Sequence, residues 1–175
     1  KEYDFRVFDS PDALHQAIIE KNSANRARVV AGYCWPWASK KNSSADDIVI
    51  GNYKRQWNLD QDGSLWIIAE KSVAQVGCIH TCQGLEVDYI GVIIGPDLIV
   101  RNGEVVTDPY KRDRHDKSIH GNKALAKVDP AAAKKITGLI IKNTYRTLMT
   151  RGMKGCYVYS TDQETGDYFR SLLNQ

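Results

Sequence analysis

Residues 77–95 have the sequence GCIHTCQGLEVDYIGVIIG, in which a polar segment directly precedes a long apolar run. The apolar run, Tyr89 to Ile94, is continuous rather than alternating, which is typical of a parallel strand that is buried on both faces. The polar segment follows a shorter apolar stretch, so we expect strand, turn, short helix and strand in that order. Open α/β sheets bind ligands beyond the carboxyl ends of their strands. The cluster of His, Thr, Gln, Gly and Glu side chains therefore predicts a nucleotide or nucleic-acid site at such an edge.

Strands and helices alternate on both sides of this segment. Residues 3–7 alternate apolar and charged side chains, as in a half-buried strand, and Ser10-Pro11 supplies the N-cap and the first-turn proline of a helix. Further strands are predicted over residues 28–32, 65–69 and 155–160, and further helices over residues 130–149 and 166–173. This order predicts an α/β domain with a mostly parallel sheet that is flanked by helices.

Two polar stretches and one turn separate these elements. Asn102-Gly103 lies between apolar residues and predicts a hairpin over residues 98–106. Residues 39–47 and 108–129 are rich in polar and charged side chains, and we expect both stretches to lie exposed. In the helix over residues 130–149, the apolar face is expected to consist of Ile136, Leu139, Ile140, Thr144, Thr147 and Leu148.

Length and composition are those of an ordinary globular domain. The 175 residues, 42% hydrophobic and 26% charged, fit a single domain over residues 1–175, with a polar surface insertion at about residues 97–130. The net charge of +3 neither demands nor excludes a polyanionic partner. Four scattered cysteines favour reduced thiols and a cytoplasmic location, and no apolar run is long enough to predict a membrane partner. The chain begins at Lys1 in a strand-like segment, so we expect it to belong to a longer protein.

A second group of chemically suggestive residues lies at 143–155, NTYRTLMTRGMKG. Here a helix that carries Arg146 ends near Arg151, immediately before the strand over residues 155–160. An arginine that packed structure holds on both sides can stabilise the negative charge that develops on a phosphate. Surface pairing of both arginines with carboxylates explains the same pattern and stays open as an alternative.

Taken together, these segments resemble a known family. Residues 80–95, HTCQGLEVDYIGVIIG, are similar to motif V of superfamily-one helicases, and residues 143–155 are similar to their motif VI. Four segments in order resemble a family of helicase-like P-loop proteins that is related to the helicase portion of Schlafen proteins, and whose bacterial members are described as uncharacterised DNA/RNA helicase-type ATPases: FRVFDSPDALHQAI, RVVAGYCWPW, GCIHTCQGLEVDYIGVIIGPDL and KNTYRTLMTRGMKGCYVYSTD. The resemblance runs from about Tyr3 to Asp162 and weakens across residues 42–60 and 108–129.

The resemblance implies roles at an ATP site. Arg151 matches the arginine finger, which reaches the γ-phosphate of ATP bound on a partner domain. Arg146 lies one turn earlier on the same helix and would support that site. Gln83, Gly84 and Glu86 match the motif V turn, whose backbone and carboxylate lie near the γ-phosphate and the ribose.

Candidates for binding nucleic acid come from two places. The resemblance implies that His80 and Thr81 approach a nucleic-acid backbone, where short polar side chains hold phosphates. Trp35 and Trp37, with Lys40 close behind, could form a stacking platform for single-stranded DNA or RNA. Packing of both rings over the edge of the sheet is the alternative for the two tryptophans.

Two further patterns have plainer interpretations. The basic residues of 108–129 could contact phosphates, but the aspartates among them favour a solvated loop. Cys78, His80 and Cys82 would share one face of a strand, as ligands of a metal might. A zinc site normally has four ligands, and the sequence shows no clear fourth, so we expect no metal site.

The sequence contains no G-x-x-x-x-G-K-[ST] segment, the loop that holds nucleotide phosphates. The resemblance implies a second RecA-like domain of the P-loop NTPase type, without Walker A. ATP with Mg²⁺ would then be bound mainly by an N-terminal RecA-like domain of the same protein. We therefore expect the second motor domain of a superfamily-one-like DNA/RNA helicase or nucleic-acid-dependent ATPase, inactive alone. The alternative is a non-catalytic nucleic-acid-binding or protein-docking module with a helicase-like fold.

Overall fold

The computed structural model describes residues 2–58, 65–84 and 86–174. The described strands are β1 Asp4–Val7, β2 Ala27–Ala31, β3 Ile48–Ile50, β4 Tyr53–Arg55, β5 Val76–Gly77, β6 Val87–Ile94, β7 Leu98–Arg101, β8 Glu104–Thr107 and β9 Gly152–Ser160. The described α-helices are α1 Pro11–Lys21, α2 Ile79–Cys82, α3 Asn122–Val128, α4 Pro130–Met149 and α5 Gln163–Ser171. Short 3-10 turns, among them Glu70–Ala74, Pro109–Lys111 and Lys117–Ile119, connect several of these elements.

A five-stranded sheet forms the centre of the molecule. Its strand order is β1-β9-β6-β2-β5, and every neighbouring pair is parallel. The predicted buried strand, β6, lies in the middle of the sheet, and its residues Ile90, Val92, Ile93 and Ile94 are fully buried. The α/β class and the parallel sheet are thereby confirmed.

Helices cover both faces of this sheet. On one face, α1 begins as predicted, because the Ser10 hydroxyl accepts a hydrogen bond from the backbone N–H of Ala13 over 3.1 Å. Its residues Leu14 and Ile18 approach Gly91 of β6 so closely that a side chain at Gly91 would displace them. The other face is covered by α2 and α4, which contribute Cys82, Ile141, Tyr145 and Leu148 to the second core cluster.

The helix over residues 130–149 forms with the predicted bounds but turns a different face to the core. Ile136 and Leu139 are 48% and 53% exposed. The buried positions are Ala133, Thr137, Gly138, Ile141, Thr144, Tyr145 and Leu148. Small residues are buried in the first half of the helix, where the β7–β8 hairpin lies close: a Cβ at Gly138 would sit 3.0 Å from the Thr107 hydroxyl. The predicted apolar face was therefore wrong at Ile136 and Leu139, whereas Thr144 and Leu148 are buried as predicted.

Residues 65–69 form a turn, so the predicted strand was wrong. The backbone N–H of Ile68 donates to the carbonyl oxygen of Leu65 over 2.9 Å. Both side chains are more than 60% exposed, at 62% for Leu65 and 64% for Ile68. The carbonyl of Ile67 accepts a hydrogen bond from the buried guanidinium of Arg28. The Arg28 side chain thus supplies the hydrogen bond that the Ile67 carbonyl would receive from a neighbouring strand if residues 65–69 belonged to a sheet.

Two other local predictions had different outcomes. The hairpin of β7 and β8 turns at Asn102-Gly103, where φ is +52° and +76°, and this prediction is confirmed. Residues 39–47 were expected to be exposed, but the carboxylate of Asp47 is buried. It accepts hydrogen bonds from the backbone N–H groups of Ser39 at 2.8 Å and Trp57 at 2.9 Å. The polar stretch over residues 39–47 is therefore partly buried, because the Asp47 carboxylate accepts hydrogen bonds from backbone N–H groups.

Residues 97–130, which we call the insertion, hold a buried ion-pair cluster. The Arg112 side chain is fully buried, and its guanidinium contacts Asp97 at 3.0 Å and Asp116 at 2.7 Å. The same stretch contains helix α3. The interpretation of residues 108–129 as a solvated loop was therefore wrong at Arg112 and Asp116, where opposite charges compensate one another inside the protein.

The four cysteines are free thiols, and three of them are buried. Among the described residues, no helix has both the length and the apolar character that crossing a membrane requires.

Candidate functional site

The polar segment of the sequence crosses one face of the sheet. Gly77, the last residue of β5, pairs with Val30 of β2, and Val30 pairs in turn with Val92 of β6. β6 nevertheless begins at Val87, so the chain between the two strands must travel back across about 16 Å of the sheet. We call residues 78–86 the return segment.

This path changes the predicted location of the site. The first residues of the return segment follow the carboxyl end of β5, as expected, but Gln83, Gly84 and Glu86 come just before the amino end of β6. All three are exposed. Gly84 has a φ of +77°, which residues with a side chain rarely adopt. The candidate ATP-binding residues therefore lie at the amino-terminal edge of the sheet, and the expectation of a carboxyl-terminal edge was wrong for them.

Arg151 lies where α4 gives way to β9. Its backbone N–H donates to the carbonyl oxygen of Leu148 over 3.3 Å. Its Nε donates to the carbonyl oxygen of Thr147 over 3.1 Å, and Nη2 donates to the Thr150 hydroxyl over 3.4 Å. The Arg151 guanidinium is half-buried and held against the end of its own helix. Binding an anion would therefore cost this side chain little additional conformational entropy.

A backbone hydrogen bond joins the two predicted motifs. The N–H of Val87 donates to the carbonyl oxygen of Arg151 over 3.0 Å, and Val87 pairs with Gly152 in the sheet. The charge of Arg151 also reaches the return segment: burial raises the pKa of the Cys82 thiol, and the guanidinium opposes that rise. The structure therefore places Arg151 beside the residues that lead into β6, among them Glu86.

Arg146 belongs to the same end of α4. Its side chain is exposed in the last turn of the helix. Its carbonyl oxygen accepts hydrogen bonds from the backbone N–H of Thr150 at 3.1 Å and from the Thr150 hydroxyl at 3.0 Å. We call Gln83, Gly84, Glu86, Arg146 and Arg151 the amino-edge group.

Sequence reasoning missed an ion-pair cluster at this edge. Asp88, the second residue of β6, contacts Lys154 Nζ at 2.7 Å and Arg26 Nε at 3.1 Å. The hydrogen bond from Lys154 holds the pKa of the Asp88 carboxyl below its usual range. The cluster ties the amino ends of β2, β6 and β9 together beside the amino-edge group. An acidic residue inside an otherwise apolar strand was the signal that could have revealed it.

The candidate nucleic-acid residues of the return segment lie on α2. His80 is exposed, whereas the Thr81 hydroxyl donates to Asn58 Oδ1 over 2.7 Å. Asn58 is itself fixed, since its backbone N–H donates to the carbonyl of Val76 over 2.8 Å. Asn58 was not predicted as a site residue, and its position depends on a contact across 23 residues of sequence that no local pattern reveals.

The interpretation of Cys78, His80 and Cys82 as one face of a strand was wrong. Cys78 is the N-cap of α2, and the other two residues lie within that helix, where alternate positions point in different directions. Within residues 2–58, 65–84 and 86–174, no group of three or more His, Cys, Asp or Glu side chains is placed to hold a metal ion.

The predicted stacking residues form part of an aromatic cluster. The ring of Trp37 lies 6.1 Å from that of Trp57, measured between centroids. The carbonyl of Trp35 accepts a hydrogen bond from the Trp57 indole over 3.3 Å, and Lys40 Nζ sits 4.0 Å above the Trp37 ring. Both predicted tryptophans pack against the core yet keep part of their surface exposed. Packing over the sheet edge, the alternative interpretation, therefore describes their main contacts.

The candidate residues consequently divide between two edges of the sheet. Trp35, Trp37 and Lys40 follow the carboxyl end of β2, opposite the amino-edge group. The return segment connects the two edges, because Thr81 binds Asn58 and the neighbouring Trp57 packs on Trp37. At the amino edge, an arginine, an exposed carboxylate and an exposed amide can together contact phosphate and hydroxyl oxygens.

The chain is similar to known proteins along most of its length. The model of the family described as Schlafen group 3, DNA/RNA helicase domain, matches residues 1–162. The uncharacterized protein YPL245W of Saccharomyces cerevisiae is 27% identical over 176 residues, an alignment that covers 94% of this chain and 36% of the yeast protein. The chain thus spans little more than a third of that relative's length. No solved structure matches the chain significantly.

Proposed function

Because the chain belongs to the Schlafen group 3 DNA/RNA helicase domain family, we propose that it is the second, RecA-like motor domain of a DNA/RNA helicase or nucleic-acid-dependent ATPase. The five-stranded parallel sheet with helices on both faces supports a RecA-like fold. The domain supplies one wall of an ATP site, and an N-terminal RecA-like domain of the same protein supplies the other.

One observation carries this proposal: the hydrogen bond between the Val87 N–H and the Arg151 carbonyl. It fixes the end of α4 against the start of β6, so Arg151 and Glu86 reach solvent at the same edge. There Arg151 is suited to neutralise charge on a transferring phosphoryl group, and Glu86 to accept a hydrogen bond from a sugar hydroxyl. Gly84 gives its backbone the left-handed conformation that lets the chain pass close to a ligand.

The residues of this edge fit part of Mg²⁺-bound ATP. The half-buried Arg151 guanidinium matches the phosphate end of the nucleotide. The sequence has no Gly-rich loop with the lysine that cradles phosphates, so most phosphate and metal contacts are assigned to the N-terminal domain. When bound, the magnesium ion neutralises charge that develops on the phosphates.

Coupling to nucleic acid follows from the path of the return segment. Its Gln83–Glu86 end lies at the amino-edge group, and its Thr81 is bound to Asn58 near the aromatic cluster. A shift of the segment on domain closure would move His80 and Thr81 relative to Trp37 and Lys40. A single strand bound by these residues would then make different contacts in the open and closed states. Coupling of ATP binding to strand binding requires such a difference.

The experiment is a steady-state ATPase assay on the full-length protein, with and without single-stranded DNA or RNA. Arg151→Ala should lower the strand-stimulated kcat by about 10³-fold or more. Arg170→Ala is the matched control, because Arg170 lies on α5 and pairs with Asp9 and Asp167 at the surface. Unchanged turnover in Arg151→Ala would contradict the proposed role of this arginine.

The same assay separates the motor from a non-catalytic module. A full-length protein that binds single strands but hydrolyses no ATP under any condition would act as a binding or docking module with a helicase-like fold. Both outcomes are read from one protein preparation, since binding and turnover are measured side by side.

A further inference from the structure

The β7–β8 hairpin lies between two helices. On its β7 side, the backbone N–H of Val100 donates to the hydroxyl of Thr165 in α5 over 2.8 Å. On its β8 side lies α4, which approaches so closely at Gly138 that a Cβ there would sit 3.0 Å from the Thr107 hydroxyl. Beyond this contact, β8 and α4 line an open groove of about 550 Å³. We call it the hairpin groove, and its lining residues lie outside the amino-edge group.

Val105 turns its backbone hydrogen-bonding groups toward this groove. In an antiparallel pair, alternate residues direct their N–H and C=O groups to the partner strand. Val105 is the register partner of Val100, and the Val100 N–H points out of the hairpin to Thr165. The N–H and C=O of Val105 therefore point out of the hairpin on the opposite side, where α4 lies. Neither group has a hydrogen-bond partner among the described residues.

Strand β8 is open to pairing with another strand. Lysines, prolines and bulges often prevent such pairing at the edge of a sheet. β8 has the sequence EVVT and a continuous register with β7, so it carries none of them. Val105 and Val106 are 39% and 43% exposed, and Leu139 on the helix side of the groove is 53% exposed. The groove thus offers an added segment both backbone hydrogen bonds and apolar contacts, and the short β8 limits that segment to a few residues.

The helix side of the groove is basic. Lys134, Lys135 and Lys142 line it, and all three are exposed. None of their ammonium groups forms an ion pair with a carboxylate in the described part of the chain. Among the described lining residues, Glu104 supplies the single carboxylate. Three cations without partners favour a ligand that carries negative charge.

The chemistry of the groove favours an acidic protein segment over a nucleic acid. Proteins that bind single strands stack the bases on aromatic rings, and the described residues that line the groove include no aromatic side chain. A peptide can instead exchange hydrogen bonds with the free backbone groups of Val105, as segments that add a strand to a sheet edge do. Successive side chains of such a strand point to opposite faces, so apolar residues can contact Leu139 while acidic residues reach the lysines.

From these observations we propose that the hairpin groove binds a short, extended, acidic segment of a partner protein. The segment pairs with β8 at Val105 and places its carboxylates near the three lysines of α4. This inference does not depend on the proposed motor function, because the groove is separate from the amino-edge group.

Fluorescence anisotropy of the full-length protein with a labelled peptide of alternating valine and glutamate tests the charge complementarity. The peptide should bind less tightly as salt is added, and a peptide with lysine in place of glutamate should not bind. Lys134→Glu and Lys142→Glu should each weaken binding of the acidic peptide about fivefold. Lys127→Glu is the matched control, since Lys127 is exposed on α3 and does not line the groove.

Val105→Pro tests the strand pairing. Proline removes the N–H that faces the groove and leaves the hydrogen bonds between β7 and β8 in place, as an edge strand tolerates. Binding of the acidic peptide should weaken about tenfold. Val105→Thr keeps the N–H and the branched shape, so it should bind like the parent. The peptide should also slow hydrogen exchange at the Val105 amide much more than at Val106, whose N–H already faces β7.

Several results would overturn the proposal. The first is a parent protein that does not bind the acidic peptide, and the second is equal binding in Lys134→Glu, Lys142→Glu and the Lys127→Glu control. Parent-like binding in Val105→Pro, with unchanged exchange at the Val105 amide, would reject the strand pairing. If the two groove variants weaken binding of oligo(dT) and the peptide does not bind, the groove holds nucleic acid. Self-association that Val105→Pro abolishes, without peptide binding, would assign the groove to a second copy of the chain.

Discussion

The backbone N–H of Val87 donates a hydrogen bond to the carbonyl oxygen of Arg151 over 3.0 Å, although 64 positions separate the two residues in the sequence. This contact brings the end of α4 and the end of the return segment to one edge of the sheet. Neither segment has a complete ligand site by itself. Since the contact uses main-chain atoms, it holds Arg151 in place whatever its side chain binds.

We predict that the 175-residue chain alone does not hydrolyse ATP. The amino-edge group offers an arginine and a carboxylate but no phosphate-binding loop, so a bound nucleotide would lack most of its phosphate contacts. Phosphate release is measured with and without single-stranded DNA or RNA. Turnover that Arg151→Ala abolishes would instead mean that the chain contains a complete site.

Gly84→Ala is predicted to destabilise the domain by about 1–2 kcal/mol, because φ is +77° there and an L side chain is strained in that conformation. Apart from its neighbours in the chain, no described residue has an atom within 4 Å of a Cβ at Gly84, so the cost is conformational and not a clash. Urea unfolding measures the change in the free energy of unfolding.

Gly166→Ala provides the matched control for that substitution. Gly166 lies inside α5, and a Cβ there likewise meets no atom within 4 Å in the described part of the chain outside its own helix turn, but its φ is not positive. Alanine is favoured over glycine in a helix by about 0.5–1 kcal/mol, so this variant should be more stable than the parent. Equal effects of the two substitutions would contradict the conformational explanation at Gly84.

The parallel sheet could be predicted from sequence because its signals are local. The continuous apolar run of β6 and the Ser10 cap of α1 each lie within a few residues, and both formed as expected. The membership of Arg151 and Glu86 in one group was implied by the resemblance to helicase motifs. The contact that joins their segments became visible only in the folded chain.

The remaining features depend on contacts between distant residues. Residues 65–69 resemble a strand, but the Arg28 guanidinium binds the Ile67 carbonyl from 39 positions away. In the sequence Arg112 resembles an exposed, solvated charge, but in the structure it pairs with Asp97 and Asp116 inside the protein. In both cases the burial of an arginine was decided by partners that periodicity and local charge pattern do not identify.

Tyr145→Phe is predicted to destabilise the domain by about 1–3 kcal/mol, since the change leaves buried polar groups without a partner. The Tyr145 hydroxyl donates to the buried carboxylate of Asp97 and accepts a hydrogen bond from the backbone N–H of Gly95 over 2.9 Å. It therefore joins α4 to the end of β6 and to the ion pairs of the insertion.

Urea unfolding of Tyr145→Phe is compared with that of Tyr110→Phe, whose ring is mostly exposed and should have little effect on stability. If both variants unfold like the parent, the buried hydroxyl of Tyr145 does not contribute to stability as the geometry suggests.

The last prediction concerns pH and the buried side chain of His15. Its Nε2 lies 2.7 Å from the carbonyl oxygen of Val73, which can only accept, so Nε2 carries the proton in the neutral ring. Its Nδ1 then accepts from the Tyr53 hydroxyl over 2.6 Å. Burial lowers the pKa of His15 from 6.5 to about 4, because a charged ring is poorly solvated there.

The sign of the pH effect follows from this lowered pKa. Below pH 6.5 the unfolded chain binds a proton at His15 that the folded chain does not bind until about pH 4. The free energy of unfolding should therefore be retained above about pH 7 and should fall by about 2 kcal/mol from this residue between roughly pH 7 and pH 5.

His15→Gln isolates that contribution, since a glutamine amide can still donate to Val73 and accept from Tyr53 but does not titrate. The variant is expected to be less stable than the parent at about pH 7, because its shape differs from that of imidazole. Between roughly pH 7 and pH 5 its free energy of unfolding should fall less steeply, since one proton no longer binds on unfolding. Parallel pH profiles for the two proteins would mean that His15 takes up its proton in the folded state as readily as in the unfolded chain.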